Sequence, residues 1–348
     1  MTHSRSTKAP SRLAVAMAFA IGLCAGLLHA ANPIETPTHR FTEVRNGIYL
    51  AQTTARVFNS NAVVIVNEDD VVVIDSHVTP AKGRQLRAAI TEALTDKPIS
   101  TLINSHHHWD HAHGNQVFTD VPIIGHEFTY ERLAGAPLDE ITYINGLQGN
   151  AATLERLAKQ IEEAEDDDER TGLEEYLAMF EAHVRDFDEI APVPPDIVMS
   201  QRTTLFRGSR EIQIMFLGRA HTGGDVFVYF PQDKLLYTGD AAFNGPSYLG
   251  DGFVDEWPST LMNMKKLDFD IFVPGHGPPV SDLSRIDLVA DFYRDLWEKT
   301  AEMHAAGVSA QEASKTLDLT NHTKIPISEV GHSLISVERM YYRLSNPD

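Results

Sequence analysis

Two apolar runs, NAVVIV (61–66) and VVVIDS (71–76), flank the polar stretch Asn67-Glu68-Asp69-Asp70 and predict a β-hairpin with buried strands. Thr79-Pro80 then reads as a helix start, with proline at the first helical position, and the helix should run to about Leu94. A further strand, Ile99 to Asn104, leads into the loop SHHHWDHAHG, and Val121 to Ile124 is a short strand again. Later strands are expected over Glu211–Leu217, Asp225–Phe230, Lys234–Tyr237 and Ile271–Val273, with helices from Leu283 onward. Strands and helices interleave in two blocks that each end in helices, which predicts α/β sheets covered by helices on their outer faces.

Residues 138–200 differ in character. Leu154, Leu157 and Ile161 stand at helical spacing, and so do Leu173, Leu177, Phe180, Val184 and Phe187. The acidic stretch EAEDDDER (163–170) is expected as the solvated turn of a helical hairpin, closed by the proline-rich APVPP (191–195). Padding of the core is its first expected role, a lid or dimer surface its second.

At the N-terminus a basic start (Arg5, Lys8, Arg12) precedes an apolar run, Leu13 to Leu28, and the small residues Ala30-Ala31. That layout predicts a secretory signal peptide over residues 1–30 and a catalytic unit over 31–348 in the periplasm or outside the cell. The run is short for a spanning helix, so no stable membrane insertion is expected after cleavage. Cys24, the only cysteine, lies in this segment, which leaves the remainder without a thiol and excludes thiolate metal ligands. The whole chain of 348 residues carries a net charge of −20, and loss of three basic residues with the signal makes it more negative. Such a surface repels phosphate backbones, so a nucleic-acid substrate is not expected and a small molecule is.

The chemistry concentrates at NSHHHWDHAHGN (104–115), with five histidines between His106 and His113. In extended backbone His106 and His108 project to one side and can reach one ion. Asp110 and His111 follow where the chain turns and can face a second ion, while Gly114 lets the loop turn tightly. Imidazole and carboxylate suit zinc, and also iron or manganese. GRAHTGGD (218–225), YTGD (237–240) and VPGHGPP (273–279) place His221, Asp240 and His276 at strand ends, where rigid backbone fixes a ligand.

H-x-H-x-D-H, G-x-A-H-T, T-G-D and P-G-H-G in this order resemble the metallo-β-lactamase superfamily over roughly residues 41–280, apart from the helical hairpin. The resemblance implies an αββα sandwich, here with the 138–200 insertion and C-terminal helices over 281–348. It implies two Zn2+ ions, one held by His106, His108 and His221, the other by Asp110, His111 and His276. Asp240 then matches the bridging carboxylate, and Asp75 an aspartate that braces the metal loop. His113 is expected behind the ligands, and His107 there or in the pocket; Trp109, Asn244 and Tyr248 are pocket candidates. Trp257 and Phe243 suit pocket and core equally well.

The implied chemistry is a metal-bridging hydroxide attacking an amide or ester carbonyl, with Asp110 orienting the nucleophile and passing a proton to the leaving group. A β-lactam or lactone is the first expected substrate. The lysine or serine that usually anchors a β-lactam carboxylate is missing from AAFNGPSYLGDGF (241–253), where only Asn244, Ser247 and Tyr248 could serve. Two alternatives stand beside it: a glyoxalase II-like thioester or phosphoester hydrolase, and an iron-binding redox protein of the same fold.

Overall fold

A computed structural model describes residues 32–326 and 328–347; the expected signal peptide lies outside them. Among the described residues, thirteen strands form two sheets. The first runs in the order β1 (Ile34–Glu35), β2 (His39–Arg45), β3 (Ile48–Thr53), β4 (Ala62–Val66), β5 (Val71–Ile74), β6 (Ile99–Ile103), β7 (Ile123–His126), β8 (Ile197–Met199). It is antiparallel from β1 to β5 and parallel from β5 to β8. The second comprises β9 (Arg202–Arg207), β10 (Arg210–Phe216), β11 (Val226–Phe230), β12 (Leu235–Gly239) and β13 (Ile271–Pro274), with β12 and β13 parallel.

The apolar runs are continuous because both faces of each sheet are covered. Val63 and Ile65 of β4 and Val72 and Ile74 of β5 point between the sheets, where they meet Ile212, Ile214, Val226 and Val228. The alternate residues Val64, Val71 and Val73 point outward against Leu86 and Ile90 of α1 (Pro80–Ala93) and against Phe118. Outside the second sheet, Phe227, Leu236 and Phe272 pack on α6 (Trp257–Met264) and α7 (Ser284–Ala305). Each fully buried Val, Ile or Leu contributes about 1.5–3 kcal/mol. The layers are therefore helix, sheet, sheet, helix. Trp257 belongs to this core: it is fully buried and its indole N–H donates to Ala241 O (2.7 Å).

After the short helices α2 (Trp109–Ala112) and α3 (Glu127–Ala134), the helical hairpin consists of α4 (Ile141–Glu163) and α5 (Asp167–Arg185). The acidic stretch is only partly a turn. Asp166 caps α5 by accepting from Glu169 N (2.8 Å), so Asp167, Asp168 and Glu169 form its first turn. Carboxylates there complement the positive end of the helix dipole.

Gly114 owes its place to a close approach rather than to a turn. It lies in a 3-10 segment, His113–Val117, and a Cβ added there would sit 1.9 Å from Ser76 O. Ser76, following β5, in turn donates through its hydroxyl to Asn115 Oδ1 (2.8 Å), which locks the metal loop onto the strand end. Gly114→Ala should therefore destabilise the protein by about 1–3 kcal/mol, read as a lower denaturation midpoint; an unchanged midpoint would show that the contact relaxes freely.

Candidate metal centre

The side chains singled out by the motifs come from five places. β5 leads into Asp75, β6 into His106–His111, the loop before β11 carries His221, β12 leads into Asp240, and β13 into His276. All lie at one edge of the sandwich. The ligand atoms of His106, His108 and His221 fall within 4.8 Å of one another, and so do those of Asp110, His111 and His276, and of His106, His111 and Asp240. His221 Nε2 is 2.8 Å from His108 Nδ1. Asp110 Oδ2 is 3.0 Å from His276 Nε2 and 3.4 Å from His111 Nε2. Asp240 reaches both groups: Oδ1 is 3.3 Å from His111 Nε2, and Oδ2 is 3.6 Å from the Nε2 atoms of His221 and His276.

The outer nitrogens of four imidazoles are already engaged, which fixes their tautomers. His111 Nδ1–H donates to Asp75 Oδ2 (2.7 Å), and His108 Nε2–H to Asp251 Oδ2 (3.0 Å). His221 Nδ1–H donates to Tyr248 O (3.1 Å). His106 Nδ1–H donates to Ser105 Oγ (3.0 Å), whose own hydroxyl donates to Asp75 Oδ2 (2.7 Å). The remaining nitrogens carry lone pairs that face a common centre. His106 Nε2, His111 Nε2 and Asp240 Oδ1 are buried there without a hydrogen-bond partner. Gly275 makes room for them: a Cβ would lie 2.0 Å from Asp240 Oδ1.

The electrostatics ask for a cation. Burial holds His106 well below the usual imidazole range, reinforced by His111 and His108, and burial with His108 brings His221 down to about 3. Burial acts in the same direction on His111, yet Asp110, Asp240 and Asp75 outweigh it and raise its pKa well above the ordinary value. Burial favours protonation of Asp240, but His111 and His276 overcome it and lower its pKa. His106 and His221 are held neutral, while the carboxylates around His111 draw positive charge to the same point, a demand that a divalent ion on this donor set satisfies.

Several contributors have no recognisable local signal in the sequence. Asp251 stands in a loop 143 positions from His108. Tyr237 donates its hydroxyl to Asp75 Oδ2 (2.6 Å) from within β12. Asp225 pins the loop of His221 by accepting from Thr222 N (2.9 Å) and Thr222 Oγ1 (2.8 Å); burial raises its pKa to about 7.

Three expectations about neighbouring residues need correction. His113 has no ring contact with a ligand imidazole among the described residues; it packs edge-on against Tyr143 of the hairpin at 5.1 Å, with Nδ1 unpartnered. Asn244 is exposed and lies outside the cleft, its carbonyl held by Arg285 (2.8 Å). The hairpin is more than padding. A cleft of about 620 Å³ opens from the metal-facing residues, and one face of α4, with Tyr176 and Phe180 of α5, forms its wall. Trp109 and Tyr248 line the same cleft. His276 is sandwiched between Phe58 (5.3 Å) and Phe243 (6.3 Å). His107 is buried beside Phe128 (5.6 Å), with both ring nitrogens unpartnered.

The sequence model of the metallo-beta-lactamase superfamily matches residues 55–142 and 149–276. Among curated relatives, the 2,4-dinitroanisole O-demethylase subunit alpha of Nocardioides sp. (strain JS1661) is 26% identical over 259 residues, 73% of this chain and 61% of the relative. The linear primary-alkylsulfatase of Pseudomonas sp. (strain ATCC 19151) is 22% identical over 267 residues, 73% of this chain and 49% of the relative. The chain thus spans about half to three-fifths of the length of these relatives. Among solved structures, a stereoselective inverting sec-alkylsulfatase from Pseudomonas sp. superposes with a TM-score of 0.59 at 16% identity, over 87% of this chain and 49% of the other. Sandwich, convergent His/Asp clusters and a sequence match over more than half its length place this chain in the metallo-beta-lactamase superfamily, whose members are metal-dependent hydrolases.

Proposed function

We propose that the chain is a dinuclear zinc hydrolase that cleaves ester-type bonds of small molecules with an apolar body, with an ester or lactone carbonyl as its first target. The observation that supports this most is the set of unpartnered donors, His106 Nε2, His111 Nε2 and Asp240 Oδ1, at the end of a cleft walled by Val57, Phe58, Trp109 and Phe180. His106 Nε2, His108 Nδ1 and His221 Nε2 would hold one ion; Asp110, His111 Nε2 and His276 Nε2 the other, with Asp240 between them. The all-nitrogen-and-oxygen donor set suits zinc and would also accept iron or manganese. When bound, such ions lower the pKa of water to about 7 and polarise the electrophile.

The protein's own groups supply the rest. Asp75 and Asp251 hold His111 and His108 in the tautomers that present lone pairs inward. Asp110 lines the cleft and is tied to His276, so its carboxylate can orient water and carry a proton to the departing oxygen. Phe58 and Trp109, with rings 5.4 Å apart, give the metal end of the cleft an apolar wall. No lysine lines the cleft among the described residues, so a β-lactam carboxylate lacks its usual anchor. The two curated relatives favour a second reading, a sulfate ester or aryl ether, since their names describe alkylsulfate and dinitroanisole chemistry. Residues 1–30 fit export, which would place this activity outside the cytoplasm; N-terminal sequencing of protein recovered from the periplasm tests it.

Purified protein should contain about two ions per chain, with zinc predominant by elemental analysis and no visible absorption of a redox iron site. Chelation should abolish turnover. His106→Ala and Asp110→Ala should each lower kcat/KM by about a thousandfold or more, and full activity in either would end the proposal. Asp251→Asn keeps the shape but removes the charge behind His108; metal affinity should fall about 10–100-fold, read by competition with a chromogenic chelator. Lactones, aryl esters, thioesters, phosphodiesters, alkyl sulfates, aryl methyl ethers and β-lactams assayed side by side decide the bond: fastest turnover is expected on the apolar lactones and esters, and a preference for sulfates or ethers would establish the second reading.

A further inference from the structure

The wall contributed by α4 has a regular composition. Thr142, Gly146, Gly149, Asn150, Thr153 and Arg156 all line the cleft and share one helix face. Gly146 lies at the metal end, where a Cβ would come within 2.5 Å of the Trp109 ring. Arg156 follows ten positions later, roughly 15 Å along the helix axis at 1.5 Å per residue. The hairpin is antiparallel, with Tyr143 stacked against Phe187 at 6.3 Å, so Tyr176 of α5 comes level with the Arg156 end. There the guanidinium of Arg56 lies 4.8 Å over the Tyr176 ring, and the Tyr176 hydroxyl donates to Arg56 O (3.0 Å).

Two guanidinium groups thus stand at the outer end of the cleft. Arg156 donates only to the neutral Gln160 (3.1 Å), and neither arginine forms an ion pair with a carboxylate among the described residues. In a chain with 49 acidic side chains against 29 Lys and Arg, two cations without carboxylate partners at one cavity mark a place for an anion from outside. From the metal end outward, Phe58, Trp109 and Phe180 supply apolar surface, and Asn150 offers a buried amide Nδ2 with no acceptor.

We propose that Arg56 and Arg156 form a subsite for an oxyanion, so that the substrate is an amphiphile with its reacting bond at the metals and an anionic end toward Arg156, about 15 Å along α4 from Gly146. The identity of the reacting bond rests on the hydrolase reading; the subsite does not. An arginine pair takes a carboxylate or sulfate through paired N–H donors, and the planted ring of Tyr176 limits how far the Arg56 guanidinium wanders. The apolar middle holds an aliphatic or aromatic body, and Asn150 donates to any acceptor on it.

The test is equilibrium binding to the metal-loaded protein by calorimetry, with suberanilic acid, which ends in a carboxylate, and its neutral primary amide as probes. The acid should bind about five- to tenfold more tightly than the amide, with the ratio shrinking as ionic strength rises from about 20 to about 300 mM. Arg56→Gln/Arg156→Gln should bring the ratio to about one, and Arg156→Glu alone should reverse it. Equal binding of the two probes by the unaltered protein overturns the proposal. So does a preference that persists in the double variant, because the carboxylate would then be sitting on the metals. Selective, arginine-dependent binding in a protein that hydrolyses no ester would sustain the subsite and remove the hydrolase reading instead.

Discussion

Asp75 accepts four hydrogen bonds: from Ser105 N, Ser105 Oγ, His111 Nδ1 and Tyr237 Oη, at 2.6–2.7 Å. It is fully buried and follows β5 with φ +62°, a left-handed conformation that costs free energy outside glycine. The strain is held because four donors from two sheets converge on one carboxylate. Ser105 begins the metal loop, His111 lies in its middle, and Tyr237 belongs to the opposite sheet two residues before Gly239-Asp240. The relative placement of the two sheets and the orientation of the imidazoles are therefore one problem with one solution. Without those donors the buried charge would be uncompensated, and without the charge the loop would lose its reference point.

The same economy extends outward. Four of the five imidazoles at the centre are aligned by a group behind them, and those groups come from three segments: Asp75, Ser105, and the loop that carries both Asp251 and the carbonyl of Tyr248. The sandwich supplies rigid strand ends, while the loops supply chemistry. Family membership accordingly describes the scaffold and its ions, and the hairpin, with Arg56, bears on what is bound.

Much of this was legible in the residues. Continuous β-branched runs marked the central strands, Thr79-Pro80 marked α1, and the four motifs marked the side chains that converge at the candidate centre. The rest was hidden for physical reasons. β2 and β3 meet at Asn46-Gly47, a turn with positive φ at both residues, yet their mixed sequence HRFTEVR shows only weak alternation. β8 and β9 are edge strands whose exposed Ile197, Val198 and Phe206 obscure any pattern. Asp251 sits in a loop whose chemistry depends entirely on tertiary contact. The hairpin stripe of Leu, Ile and Phe was visible, but periodicity reports which residues face a partner and says nothing about what the opposite flank encloses.

α4 meets the metal loop through Gly146 on the Trp109 ring and Tyr143 beside His113. Beyond that short seam its cleft-facing positions, from Gly149 to Arg156, support no ligand. Mutation can therefore reshape them without disturbing the ions, much as a key blank is recut while its bow stays the same. A lineage that keeps the seam and varies the stripe would explore new molecules at little risk to its reactivity.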